Sequence, residues 1–78
     1  MEQIKIEQYY RVQVGSFSVK ANAINLENRL KQSGFDTSIV QVYGLYKVQI
    51  GVFKNKVNSE TVLKKAKEDG FNAFVTYY

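Results

Sequence analysis

Apolar and polar residues alternate from Tyr10 to Gly15, with Tyr10, Val12 and Val14 on one side and Arg11, Gln13 and Gly15 on the other. A period of two is the pattern of a half-buried strand. It returns as Tyr46, Val48 and Ile50 against Lys47, Gln49 and Gly51. After each of these segments the period lengthens. Ala23, Leu26 and Leu30, and then Ser59, Val62 and Ala66, fall three and four residues apart with Lys, Glu and Asn between them, which predicts two amphipathic helices. Gly34 and Gly70 are placed to end them in the left-handed conformation, and the Phe after each Gly is expected to pack back on the last turn. Asn55 is a good cap for the second helix and Val19 a poor one for the first, so the first is expected to fray more. Stretches rich in β-formers at 38–42 and 73–78 predict two more strands, and Tyr43-Gly44 a tight turn after the first of them.

The pattern is a repeat. YRVQVGSF at 10–17 recurs as YKVQIGVF at 46–53, and at the same offset of 36 Lys20 matches Lys56, Asn22 matches Asn58, Gly34 matches Gly70 and Phe35 matches Phe71. Strand, helix, strand is used twice. With right-handed crossovers this predicts an α+β fold of the βαββαβ, ferredoxin-like or RNP-like kind. Two helices lie on one face of a four-stranded antiparallel sheet, with the first and third strands in its centre. We expect one domain over residues 1–78, with 1–8 as a flexible N-terminal extension.

The other sheet face is left bare, and function is to be sought there. Positions apolar in both copies send Val12, Val14, Ile39, Val48, Ile50 and Val75 under the helices. Arg11, Gln13, Lys47 and Gln49 then point outward, joined from the outer strands by Ser38, Val40, Phe74 and Thr76, with Gln41 at odds in the core-facing register. Other positions have plainer readings. Gly15 and Gly51 ease a bend, Phe17 and Phe53 close the helices onto the sheet, and Lys64, Lys65 and Lys67 form a solvated helix face. Tyr9, Tyr77 and Tyr78 read as edge packing or as a stacking platform.

Composition mainly excludes. The chain has 78 residues, 45% hydrophobic and 23% charged, and no apolar run near the roughly 20 residues that span a bilayer. Without Cys or His there is no thiolate nucleophile, no usual general base and no zinc cluster. No paired carboxylates, phosphate loop or metal cluster appear either, so neither an enzyme nor a cofactor is expected. Eleven Lys and Arg against seven Asp and Glu give +4, a mild preference for an anionic partner, with Arg11 and Lys47 as its expected address. An RNA-recognition module shares the strand order and the charge, but it stacks bases on aromatics of its central strands, where this chain has Arg11, Gln13, Lys47 and Gln49. A module that oligomerises through the bare face is the other alternative.

YRVQVGSF, KANAINLENRLKQSGF, GLYKVQIGVF and NAFV together resemble the sporulation-related repeat, or SPOR, domain of bacterial cell-wall proteins, over Tyr9–Tyr78. The resemblance implies a non-catalytic module, expected to be monomeric, that binds peptidoglycan. It implies a preference for glycan strands stripped of stem peptides, and recruitment of a parent protein, often an N-acetylmuramoyl-L-alanine amidase, to septal or sporulation walls. It puts the domain outside the cytoplasm with no nucleic acid and no membrane contact. Position by position it implies glycan-binding roles for Gln13, Ser16, Leu45, Lys47 and Phe74, to which the outward pattern adds Arg11 and Gln49. Two departures stand out. Leu45 occupies a place that can be Trp in relatives, leaving Tyr43 or Phe74 to supply apolar contact, and Val52 stands where the first copy has Ser16.

Overall fold

Each alternating segment becomes a strand and each three-and-four segment a helix. The computed structural model describes residues 7–78. Among them the chain forms β1 (Tyr10–Phe17), α1 (Lys20–Gln32), β2 (Ser38–Val42), β3 (Leu45–Phe53), α2 (Lys56–Glu68) and β4 (Phe74–Tyr77). The strands are ordered β2-β3-β1-β4, and all neighbours are antiparallel. Of the extension expected over residues 1–8, residues 1–6 lie outside the described residues, and Glu7 and Gln8 precede β1 without regular structure.

The helices begin and end 36 residues apart. Both close the same way. Gly34 (φ 91°) and Gly70 (φ 88°) turn left-handed, and the amides of Phe35 and Phe71 reach back to the carbonyls of Leu30 and Ala66 at 3.0 and 2.9 Å, the bond pattern of a Schellman cap. The helix starts differ from expectation. Neither Val19 nor Asn55 makes a side-chain cap bond, so Asn55 confers no capping advantage. Within α2, Ser59 is buried and its hydroxyl donates to the Lys56 carbonyl at 2.6 Å. The turn from β2 to β3 has Tyr43 at φ 48° and Gly44 at φ 76°, the two positive values of a type I′ hairpin.

Simple alternation fails at one place in each repeat. Along the central pair, Val12 faces Gly51, Gln13 faces Gln49, and Gly15 faces Val48, so the register slips on both sides of the two glutamines. Val14 and Ile50 are thus left unpaired, one β-bulge in each strand. A bulge puts two consecutive residues on the same side. Val14 and Ile50 are buried under the helices, and a Cβ on Gly15 would meet the Leu26 side chain of α1 at 2.8 Å, so the residue after the bulge faces the same way. The alternation resumes one step out of phase. Phe17 and Phe53 therefore pack against the core, while Ser16 and Val52 face away from it.

Leu30, Val12 and Val48 are sealed at the centre of this core, with Ala23 and Ala66 letting the helices settle on the sheet. No Cα of α1 lies within 8 Å of one in α2. Phe35 and Phe71 fill the space between them edge to face, 6.1 Å apart. Each repeat also covers the other's ring: Arg29 sits 5.5 Å from Phe71 and Lys65 sits 5.1 Å from Phe35.

Gly15 and Gly51 permit this closure because they carry no Cβ. Besides Leu26, a Cβ on Gly15 would meet the Phe17 ring at 2.8 Å, and one on Gly51 would collide with the Phe53 ring. Gly15→Ala should lower unfolding free energy by about 1–3 kcal/mol through overpacking, measured by denaturant titration. Wild-type stability in that variant would refute the close-approach account.

Candidate functional site

The sheet face away from the helices is built from rows of paired residues. The central row runs Ser38, Gln49, Gln13, Phe74 across all four strands. On one side of it Val40, Lys47 and Ser16 are aligned, followed by Val42 and Leu45 at the hairpin end. On the other side lie Val52, Arg11 and Thr76. The ladder then continues through reciprocal backbone bonds between Tyr9 and Tyr78, at 2.9 and 3.1 Å. The offset of 36 relates the two halves, pairing Gln13 with Gln49, Arg11 with Lys47, Ser16 with Val52, Ser38 with Phe74, and Tyr9 with Leu45.

All seven residues singled out from the sequence lie on this face: Arg11, Gln13, Ser16, Leu45, Lys47, Gln49 and Phe74. The bulges bring Ser16 into the set, directly across from Lys47. Strict alternation would have placed it under the helices. Gln13 and Gln49 are less open than an outward reading implies, at 7% and 2% exposure. They form the floor of the face. Neither side chain has a hydrogen-bond partner among the described residues, which leaves the amides as donors and acceptors for something else. Phe74 and Leu45 are exposed at opposite corners, and Tyr43 stands fully in solvent at the hairpin tip. Two shallow clefts open at the sheet edges, one at each end of the central row where β4 and β2 begin. One, of about 550 Å³, runs past Val14, Phe71 and Phe74, and the other, of about 370 Å³, past Ser38, Gln49 and Val52.

Sequence reasoning left Tyr9 and Tyr78 open between packing and stacking, and the structure puts both rings beside Arg11. The guanidinium lies 4.4 Å from the Tyr78 ring centre and 5.7 Å from that of Tyr9, and its Nε donates to the Tyr78 backbone oxygen at 3.3 Å. The Tyr9 hydroxyl donates to the Glu7 carboxylate. Adding 36 to residue 9 gives 45, so the repeat already marked Tyr9 as the mate of Leu45.

Charge is distributed otherwise than expected. The two helices carry seven Lys or Arg against three Glu, a surplus of four, whereas Arg11, Lys47 and Lys54 elsewhere are balanced by Glu7, Asp36 and Asp69. The net charge thus belongs to the helical layer. There Arg29, Lys31, Lys65 and Lys67 sit in the last turns, facing the negative ends of the helix dipoles. Lys47 has no ionic partner among the described residues, and no carboxylate occupies the rows from Val52 to Leu45.

Comparison with known proteins follows the same lines. A family model described as the SPOR domain matches residues 7–77. The solution structure of the peptidoglycan binding domain of the B. subtilis cell wall lytic enzyme CwlC superposes with a TM-score of 0.85 at 41% identity, covering 100% of this chain and 99% of that one. The C-terminal RNP domain from the divisome protein FtsN gives a TM-score of 0.54 at 30% identity, covering 91% and 92%. Spor protein DedD, at 0.71 and 20% identity over 91% of this chain and 39% of that one, shares the fold. A comparison with curated proteins finds no match.

The bond to Glu7 holds the proton on the Tyr9 phenol and raises its pKa above 10.0, against a smaller opposing pull from Arg11. Glu7→Gln should bring the Tyr9 titration down toward the ordinary value, followed by NMR of its ring carbons. An unchanged midpoint would show that the contact does not form.

Proposed function

The chain belongs to the SPOR domain family, and on that premise we propose that its bare sheet face binds the glycan strands of peptidoglycan and thereby locates a parent protein in the bacterial cell wall. The observation that carries this reading is the central row itself, with two glutamines, unpartnered among the described residues, flooring an open face whose rows from Val52 to Leu45 hold a cation and no carboxylate. N-acetyl and hydroxyl groups are neutral donors and acceptors that Gln side chains match in both senses. Phe74, Leu45 and Val40 offer apolar contact for sugar rings at the margins. Such a surface holds a polymer and performs no chemistry, so the domain acts as a binding module and any hydrolysis lies elsewhere in the parent. An RNA platform is disfavoured by the same row, since the central strands present amides and cations where stacking aromatics are needed.

The preference for stripped strands follows from ligand charge. An amidase cuts between the muramyl lactyl group and the first alanine, leaving a carboxylate where intact wall has a neutral amide. Lys47 projects from the face beside the Ser16 hydroxyl, and Arg11 keeps its terminal nitrogens. A charge-assisted hydrogen bond is about twice as strong as a neutral one. Cations therefore select stripped strands while glutamines hold them, and a module of this kind accumulates where amidases have worked, at septa or sporulation walls, outside the cytoplasm. A parent amidase delivered to its own product fits this reading.

Pull-down on purified sacculi before and after amidase digestion tests the proposal, with greater recovery expected after digestion. Equal recovery would remove the preference, and none from either would remove the function. At low salt, Lys47→Ala should weaken binding to digested sacculi roughly tenfold, about 1.4 kcal/mol. Unaltered affinity in that variant would refute the charge-reading role.

A further inference from the structure

The two halves of the sheet face are unequal where a sugar ring would stack. Leu45 is the apolar position at the hairpin end, and its mate at the far end is Tyr9, which lies beside Tyr78. We propose that the Tyr9–Arg11–Tyr78 corner is a sugar-binding subsite, supplying from the first repeat the aromatic surface that Leu45 does not supply from the second. This rests on the glycan reading above and extends the footprint toward the end of β1 and β4.

Four constraints make the corner a prepared platform. The backbones of Tyr9 and Tyr78 are bonded to each other in both directions. The Arg11 guanidinium lies against both rings and is anchored through Nε to the Tyr78 oxygen. Glu7 holds the Tyr9 hydroxyl. The rings of Tyr10 and Tyr77, 4.5 Å apart on the opposite side of the same strands, stiffen the sheet beneath. Rings fixed this way lose little rotamer freedom when a ligand arrives, which lowers the entropic cost of binding. Yet Tyr78 remains about half exposed, an aromatic kept out of the core while its position is fixed. A pyranose presents an apolar face of C–H bonds and a polar rim of hydroxyls. The corner answers both, with tyrosine rings for the face and the terminal guanidinium nitrogens and Glu7 for the rim.

The test uses the domain and denuded glycan released from amidase-treated sacculi. Tyr78→Leu should weaken binding about tenfold with its thermal midpoint close to wild type, whereas Tyr78→Phe should bind as wild type. Saturation transfer from the Tyr9 and Tyr78 ring protons should reach the sugar. If Tyr78→Leu is folded and binds as wild type, or if no transfer occurs while the glycan is bound, this subsite is wrong and the glycan reading stands. If Tyr78→Leu fails to fold, saturation transfer in the wild type decides alone. If the wild-type domain does not bind denuded glycan, both readings fall.

Discussion

The rings of Phe17 and Phe53 lie against the bare backbone of Gly15 and Gly51, and the rest of the architecture follows from that pair of close approaches. For a ring to reach the core from that position, the strand must turn over by one residue, which the bulges at Val14 and Ile50 accomplish. The turnover gives each half a second apolar layer beneath the start of its helix. On the opposite side it presents Ser16 and Val52. Core closure and site composition are therefore a single geometric event. A side chain at either glycine would disturb the outer sheet face as well as the packing.

The two repeats are joined by reciprocity. Arg29 of the first covers Phe71 of the second, Lys65 covers Phe35, and the rings meet edge to face between helices whose backbones stay apart. On the other surface the same pseudo-twofold passes between Gln13 and Gln49. Each half contributes one member to every central feature, so neither half has a complete core or a complete central row by itself. The surplus cations of the helices fit this picture, because those of the last turns act on carbonyl dipoles and aromatic faces within the fold.

Element order, helix ends and the repeat were legible in the sequence because each rests on a local rule: period two, period near 3.6, and glycine where φ is positive. The outward identity of Arg11, Gln13, Lys47 and Gln49 followed from alternation and came out on the right face. What alternation could not supply was the phase change. A strict period of two sets Ser16 on the core side, and only resemblance to the SPOR family put it among binding residues, since a bulge depends on pairing with a distant strand. Burial of the glutamines was likewise hidden, because it comes from four strands meeting in one row. The address given to the net charge was wrong for a related reason: composition counts cations without saying which layer holds them, and helix C-termini claim several of these. The repeat offset alone pairs residue 9 with residue 45, but Tyr78 and Arg11 join Tyr9 only through the contacts that the sheet brings about.

The bulges also decide where the outer strands stop. β4 pairs with β1 only as far as Gln13, and β2 pairs with β3 only as far as Gln49, so residues 14–17 and 50–53 have no outer neighbouring strand among the described residues. An unpaired strand edge is a template on which another chain can add itself. Here each open edge is four residues long and starts at a bulge, where the backbone bends and the twist increases, so it offers no flat row of donors and acceptors to copy. Between copies of the domain, that geometry opposes strand-to-strand aggregation while leaving the outer sheet face open.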